Sequence, residues 1–307
     1  MGHILPSILT TPGFALTAAE QMSTALWRNT IENGFTQPQF LVLSGIFHHP
    51  GIGHYNLADR VGIDRATIGP ILKKMTEQDL VSRQNDPKDF RRSVLTLEPP
   101  GLEILTEMAP QVEAVDQQLM APLNLAEQAA LIQSWAILAE EMMQKESHPE
   151  EANTDGTVSP LRHYPWFFLR QACRQFRRLW REQVDESISS SLFTLMNVVA
   201  IFPNIDIRSA ASMASVEESN AVRMVMRLVR THMMRDPRDP QDARRSLLSL
   251  TDTGWAVHDA MLERATKAQK LLTQPLPPLA VTEFHRLTAK VSRLPPSAQS
   301  APAAPPD

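Results

Sequence analysis

The chain has 307 residues, of which 43% are hydrophobic and 21% charged, the composition of an ordinary globular protein. At about 100–200 residues per domain, this length predicts two domains. The formal net charge of −4 argues against a histone-like, wholly basic nucleic-acid binder, but it does not exclude a locally basic face. The most apolar run, residues 192–202, is too short for a membrane span, and the N-terminus lacks the pattern of a secretory signal. We therefore expect a cytoplasmic protein with no membrane partner.

In the first half of the chain, apolar residues recur mostly with a helical period. The pattern predicts helices over residues 14–33 and 37–47, followed by a short third helix capped by Asn56. A tight turn at Gly62 then leads to Asp64, a favourable N-cap for a fourth helix. The inward positions of that fourth helix have the spacing i, i+3, i+4 and i+7: Ile68, Ile71, Leu72 and Met75. The order predicted here is helix, turn, helix.

A β-hairpin and two long helices are predicted to follow. Residues 80–84 and 92–97 alternate like strands around a turn-rich segment at 85–89. Two further helices are expected over about 101–120 and 124–145, and the second opens with the Asn124 and Glu127 pairing of an N-cap and an acidic third position.

The second half of the chain repeats the first. When the sequence is shifted by 153 positions, residues 86–95 match 239–248 at seven of ten positions, and residues 14–107 match 167–260 at 19 of 94 positions without a gap. We therefore expect an N-terminal extension at 1–13, a first module at 14–145 and a polar, acidic linker at 146–160. A second module at 161–294 precedes a tail at 295–307 that is too poor in apolar residues to fold.

This order of elements resembles the winged helix-turn-helix repressors of the MarR family. The motifs that carry the resemblance are Leu57 and Ala58, Val61 to Ile68, Asp79 to Arg83, Asp86 to Arg92 and Leu97 to Gly101. The first module departs from the family pattern at Glu98, where the family usually has Thr, and the second module replaces most of its recognition helix. The implied fold is mainly α with small β-hairpin wings, an α+β class in which two tandem modules carry helical dimerisation elements.

Members of this family work as two-fold dimers joined through their first and last helices. A chain with two modules therefore looks like a fused dimer, and we expect a monomer that acts as an internal pseudo-dimer with pseudo-two-fold symmetry. Linking the modules makes their pairing intramolecular, at an effective concentration in the millimolar range.

The outer face of each recognition helix carries the candidate DNA contacts. Arg suits guanine and Asn suits adenine in the major groove, whereas Lys suits phosphate. The candidates are Arg65, Thr67, Lys73 and Lys74 in the first module, and Asn220, Arg223 and Arg227 in the second. Local charge agrees with this interpretation, because residues 60–95 are net +3 and residues 213–248 net +2 in a chain of net charge −4.

The hairpin, or wing, supplies the second expected DNA contact, because Arg at a hairpin tip can enter the minor groove. The candidate wing residues are Lys88, Arg91 and Arg92, with Arg238, Arg244 and Arg245 in the second module. The family pattern implies that Asp89 and Asp242 pair with an Arg of the same wing and fix its shape. The alternative is that these charges merely solvate a loop.

Two features predict that the modules read DNA differently. Pro70 lies inside the first recognition helix and is expected to kink or loosen it. Glu217 and Glu218, at the start of the second recognition helix, favour its dipole but would repel phosphate. We therefore expect the second helix to be the poorer reader.

Members of the family commonly release DNA when a small molecule, often an aromatic acid, binds. Trp27 and Arg28 in the first helix, with Trp180 and Arg181 in the second module, are candidates for holding an aromatic carboxylate. The alternative is that both tryptophans are packed in the core and both arginines form ion pairs.

Other chemistry has weaker support. Cys173 suggests redox sensing, but it lies on an apolar helix face and no second cysteine is present. His48, His49 and His54 cluster without the other ligands of a zinc site. We find no nucleophile motif or Gly-rich phosphate loop, and we expect neither an enzyme nor a cofactor or metal.

Two hypotheses follow from the sequence. The first is a ligand-responsive regulator, expected to be a repressor, whose partners are a double-stranded DNA operator and a small-molecule effector. The second is an interaction protein of the same fold that has lost specific DNA reading, and redox sensing through Cys173 is a further alternative.

Overall fold

A computed structural model of the protein describes residues 11–85, 93–146, 160–184, 187–237 and 247–293. The fold is mainly helical with two small antiparallel sheets, as the sequence predicted. The chain forms two compact units: unit 1 draws its residues from Met1–Gln21 and Cys173–Asp307, and unit 2 from Met22–Ala172. In the described ranges, no helix is both long and apolar enough to cross a membrane.

The first half contains the six helices that the periodicity predicted. They are α1 (Pro12–Thr30), α2 (Gln37–His48), α3 (His54–Val61), α4 (Arg65–Glu77), α5 (Pro99–Met120) and α6 (Leu125–Glu146). Asp64 occupies the N-cap position of α4, as predicted, but its side chain makes no capping hydrogen bond. The predicted box at α6 is confirmed, because Asn124 and Glu127 exchange side-chain-to-backbone hydrogen bonds of 2.9 and 3.1 Å. The Asn56 cap is wrong, because α3 begins almost one turn earlier, after Gly53.

A three-stranded antiparallel sheet closes this half. Its strands are β1 (Ile52–Gly53), β2 (Val81–Asn85) and β3 (Ser93–Leu97), in the order β1-β3-β2. The predicted hairpin is confirmed with small shifts at the strand ends, and Val81 pairs with Leu97. The sequence did not reveal β1, because so short a strand cannot show alternation.

The second half has the same order of helices, at the same offset as the sequence repeat. After a short 3-10 turn at Pro160–His163, its elements are α7 (Pro165–Gln183), α8 (Ser190–Ile201), α9 (Ile207–Met213), α10 (Glu218–Arg230), β4 (Met234–Arg235), β5 (Ser249–Leu250), α11 (Asp252–Thr273) and α12 (Pro278–Val291). The turn begins at Pro160, which the sequence had assigned to the linker, whereas residues 147–159 and the tail from 294 lie outside the described residues.

The backbone conformation repeats as well. Gly62 at the end of α3 is left-handed, with φ of +62°, and its counterpart in the repeat, Ser215, has φ of +49°. A Cβ at Gly62 would lie 2.0 Å from Nε2 of Gln171, so this position favours glycine both for its φ and for space. Ser215 adopts the same turn with a side chain, at the cost that the left-handed region imposes on non-glycine residues.

Aromatic packing forms much of the core of each unit. In unit 2 the Trp27 ring lies 5.7 Å from Phe40 and 5.2 Å from Trp166, in edge-to-face contact. In unit 1 the corresponding Trp180 ring lies 5.5 Å from Phe193. These buried rings pack the first helix of each half against the second helix of the same half.

Candidate nucleic-acid interface

Helix α4 presents a cationic face opposite its buried face. Ile68, Leu72 and Met75 are buried, as predicted, whereas Ile71 is half-buried. The four candidate DNA contacts of the first module, Arg65, Thr67, Lys73 and Lys74, are all exposed. The helix runs without interruption through Pro70 from Arg65 to Glu77. The exposed face therefore has the length and charge needed to lie in a major groove.

The Arg65 guanidinium at the start of α4 is held by two residues of α3. Its Nη2 lies 3.1 Å from Oδ2 of Asp59, and its Cζ lies 5.2 Å from the centre of the Tyr55 ring. The Arg65 side chain nevertheless stays 43% exposed, so part of the guanidinium faces outward. Sequence reasoning missed Tyr55 and Asp59, although their i, i+4 spacing on a short polar helix face was available as a signal.

Lys73 and Lys74 follow two turns further along α4. Lys73 Nζ lies 3.9 Å from Oε1 of Glu77, but both side chains are more than half exposed, so this pair contributes little stability. Both ammonium groups can therefore reach phosphates at little cost to the fold.

Helix α10 occupies the position of α4 in the second half, with a different outer face. Arg223 is exposed and Asn220 is half-buried. Arg227 donates a hydrogen bond from Nη2 to the backbone oxygen of Ser187, so part of its guanidinium already binds the protein backbone. At the helix start, Arg208 Nε lies 3.5 Å from Oε2 of Glu218.

Exposed apolar side chains on α10 were not anticipated. Val222, Met226 and Val229 are 39%, 66% and 36% exposed, and they occupy the positions of Gly69, Lys73 and Thr76 in α4. Their i, i+4, i+7 spacing is visible in the sequence as a second apolar stripe, beside the buried one formed by Ala221, Val225 and Leu228.

The wing residues fall largely outside the described residues. The base of the first hairpin carries a 2.8 Å hydrogen bond from Arg83 Nε to Ser93 Oγ. Eight predicted wing residues lie in the undescribed segments 86–92 and 238–246: Lys88, Asp89, Arg91, Arg92, Arg238, Asp242, Arg244 and Arg245. Their roles stay predictions.

The two tryptophan–arginine pairs have matching environments. Trp27 Nε1 donates to the Phe35 backbone oxygen at 2.6 Å, and Trp180 Nε1 donates to the Ile188 backbone oxygen at 2.7 Å. Both indoles are almost fully buried, whereas Arg28 and Arg181 are exposed. This geometry supports the packing alternative for the tryptophans, because their polar atoms are already used in joining the first helix to the chain that follows it.

A buried carboxyl group that sequence reasoning missed lies on α5. Asp116 is 8% exposed, and its Oδ1 accepts a 2.9 Å hydrogen bond from the Trp166 backbone N–H in the first turn of α7. Burial raises the pKa of Asp116 to about 8, although the hydrogen bond from Trp166 opposes the shift. At the matching position of the repeat, Gln269 Oε1 accepts a 2.7 Å hydrogen bond from the backbone N–H of Gly13 in α1.

Burial and hydrogen bonds account for the surroundings of Cys173, His48 and His49. Cys173 is buried, and its Sγ donates to the Leu16 backbone oxygen at 3.3 Å. Burial and the neighbouring His163 lower the pKa of His48, and the His49 ring lies 3.2 Å from Arg60 Nη1. Within the described ranges, no three His, Cys, Asp or Glu side chains are grouped so that they could hold a metal ion.

Comparison with known proteins agrees with the helix-turn-helix and hairpin. The sequence profile of the MarR family matches residues 35–94. The transcriptional regulator HosA of Escherichia coli O111:H- is 32% identical over 113 residues, which cover 37% of this chain and 83% of HosA. The HTH-type transcriptional repressor NicR of Pseudomonas putida is 27% identical over 39% of this chain and 77% of NicR. Among solved structures, the transcriptional regulator PcaV of Streptomyces coelicolor with its natural ligand is 28% identical, with a TM-score of 0.43, and covers 45% of this chain and 98% of PcaV.

Proposed function

The chain belongs to the MarR family of transcriptional regulators, and on this premise we propose that it is a sequence-specific repressor in which one polypeptide supplies both halves of the family's dimer. The observation that carries the proposal is the exposed cationic face of α4, with Arg65 held by Asp59 and Tyr55 where base edges would lie.

The reciprocal contacts of the two first helices support the fused-dimer part of the proposal. Asp116 binds the N-terminal turn of α7 in unit 2, and Gln269 binds the N-terminal turn of α1 in unit 1. The two contacts are related by the same offset as the sequence repeat. In a two-fold dimer, residue i of one subunit contacts residue j of the other, and j contacts i. The contacts of Asp116 and Gln269 follow this rule within one chain.

Further packing in unit 1 supports the same arrangement. Phe14 and Ala18 of α1 form a buried cluster with Ala289 of α12, and the Arg177 guanidinium of α7 donates two hydrogen bonds to the Glu20 carboxylate of α1. The start of the first half's first helix is therefore packed with helices of the second half, as the family resemblance implies for subunits joined through their terminal helices.

DNA binding is tested with labelled duplexes tiled across the region upstream of the protein's own gene. A sequence-preferring complex that weakens steeply as salt is raised is expected, because the phosphate contacts of Lys73 and Lys74 release counterions. Binding that is absent, or equal on all duplexes, would contradict specific DNA reading.

We also propose that a small molecule, such as an aromatic acid, controls DNA release. This proposal rests on the family resemblance, and the buried, hydrogen-bonded indoles of Trp27 and Trp180 argue for a site that uses other residues. A panel of small aromatic acids is screened for a rise in the midpoint of thermal unfolding, and each hit is then added to the DNA complex. A hit that stabilises the protein without releasing DNA would contradict effector control by that compound.

A second candidate function is favoured by α10. Its acidic first turn and exposed apolar stripe suit protein contact better than base reading, which agrees with the alternative of an interaction protein. DNA reading by α4 and protein binding by α10 are compatible, because the two helices belong to different halves of the chain.

A further inference from the structure

The outer face of α10 combines an apolar stripe with a row of arginines. Along the helix, Val222, Met226 and Val229 succeed one another at i, i+4 and i+7, and Met226 is 66% exposed. Arg223 and Arg230 are exposed beside the stripe. Three exposed apolar side chains that follow one another along one helix face form a contiguous patch, and such a patch marks a surface that binds a partner.

At two matching positions, this face of α10 lacks the cationic side chains that α4 presents. Met226 stands where α4 has Lys73, and Glu218 stands where α4 has Arg65. A carboxylate at the position of the base-reading arginine repels phosphate, and a methionine cannot contact it favourably. The face has therefore exchanged phosphate-binding groups for apolar ones while keeping a helix of the same length and bounds.

We propose that this face of α10 binds an acidic amphipathic helix of a protein partner. Val222, Met226 and Val229 would receive the partner's apolar side chains, and Arg223 and Arg230 would pair with carboxylates on one flank of its helix. This is side-by-side packing of two helices, in which apolar residues along the contact line supply affinity and flanking charges supply specificity.

The charge order along α10 also determines where along the partner helix its carboxylates must lie. Glu217 and Glu218 lie at the N-terminal end, and the arginines lie from the middle to the C-terminal end. A partner helix with its carboxylates beside Arg223 and Arg230 and without carboxylates beside Glu217 and Glu218 is the complementary match.

A second copy of this chain fits the face less well. Two α10 helices packed antiparallel along their apolar stripes would bring the arginine row of one beside the arginine row of the other. A helix that carries carboxylates beside its apolar face avoids this repulsion.

The test uses the full chain and two labelled synthetic helices of identical length and apolar face, one flanked by Glu and the other by Lys. Fluorescence anisotropy is expected to show binding of the Glu-flanked helix, with affinity at least about tenfold above that of the Lys-flanked helix. Met226→Lys is expected to weaken that binding by about tenfold or more, because it places a charge in the apolar stripe. Equal binding of the two helices, no binding, or binding unchanged by Met226→Lys would overturn the proposal.

Two controls distinguish the proposed partner helix from DNA and from a second copy of this chain. Lys73→Met makes the matched change in α4, and it is expected to weaken DNA binding while leaving peptide binding unchanged. If Met226→Lys instead weakened DNA binding, or dissolved a dimer seen by sedimentation, the face would bind DNA or a second copy and the proposal would fail. Both positions are exposed, and thermal unfolding checks that each variant is folded. The peptide titration contains no DNA, so its result is independent of whether an operator is found.

Discussion

At the scale of single residues, a base-reading side chain gains specificity when it is held before DNA arrives. Arg65, the proposed base-reading residue, meets this condition, because Asp59 and Tyr55 restrict its guanidinium while leaving it partly exposed. An arginine ordered in advance loses less side-chain entropy on binding than a free one. The three residues therefore act together at the start of α4.

Arg65→Ala is expected to lower the preference for a specific duplex by about ten- to hundredfold, the value of a good contact between arginine and a base. Arg223→Ala is expected to have a smaller effect, because α10 begins with two glutamates. Asp59→Asn is expected to fall between them, since it removes the charge that holds Arg65 but not the arginine. Competition binding between specific and unrelated duplexes measures these ratios, and equal losses for Arg65→Ala and Arg223→Ala would contradict the asymmetry.

The buried carboxyl of Asp116 predicts a pH dependence of stability. Its pKa is raised from 3.8 to about 8 on folding, so the folded state holds a proton that the unfolded state releases between these values. The stability that protonated Asp116 contributes is therefore complete below about pH 4 and lost progressively up to about pH 8. Burial also raises the pKa of the neighbouring Tyr164 above its usual 10, so this phenol does not titrate in that window.

Asp116→Asn keeps an oxygen that can accept the Trp166 N–H but removes the titration. As the pH is raised from about 4 to about 8, the natural chain loses stability that this variant keeps. The unfolding free energy of the variant should therefore rise, relative to that of the natural chain, by about 1.4 kcal/mol for each pH unit. Gln269→Leu is the matched control, because it removes the corresponding hydrogen bond from a residue that does not titrate. Denaturant unfolding at several pH values measures both, and a parallel pH profile for Asp116→Asn and the natural chain would show that Asp116 is not the titrating group.

At the scale of elements, the sequence predicts helices well and small strands poorly. The periodicity of α4 and the turn chemistry at Gly62 and Asp64 are local signals, so they survive in one sequence. Strand β1 depends on pairing with β3 across the whole helix-turn-helix, and so short a strand carries no pattern of its own. For the same reason, the exposed face of α4 was predictable, whereas the contact between Asp116 and α7 was not, because it joins residues 50 positions apart.

The turns that end α3 and α9 offer a matched test of backbone strain. Ser215→Gly is expected to stabilise the protein by up to about 1 kcal/mol, because glycine adopts a φ of +49° without penalty. Gly62→Ser is expected to destabilise it by more than that, since the new Cβ would also clash with Gln171. Thermal unfolding of both variants measures the effects, and equal and opposite shifts would show that the space beside Gly62 does not matter.

At the scale of the whole molecule, the internal repeat accounts for the length of the chain. The order of the helices, their bounds and their left-handed end residues recur at one offset, although few side chains do. The proposed fusion also removes the requirement that both halves stay identical, so one recognition helix can keep its cations while the other acquires an apolar stripe. A dimer of identical subunits could not divide these tasks, since any change would appear on both sides.

The pseudo-dimer proposal is tested most directly by the mass of the complex between this protein and a specific duplex. Sedimentation equilibrium, or light scattering during size-exclusion chromatography, is expected to give one chain of 34.4 kDa bound to one duplex, with the free protein a monomer. Two chains on one duplex, with specific binding that grows with the square of protein concentration, would show that two chains must associate to form the DNA-bound dimer and would contradict the fused dimer.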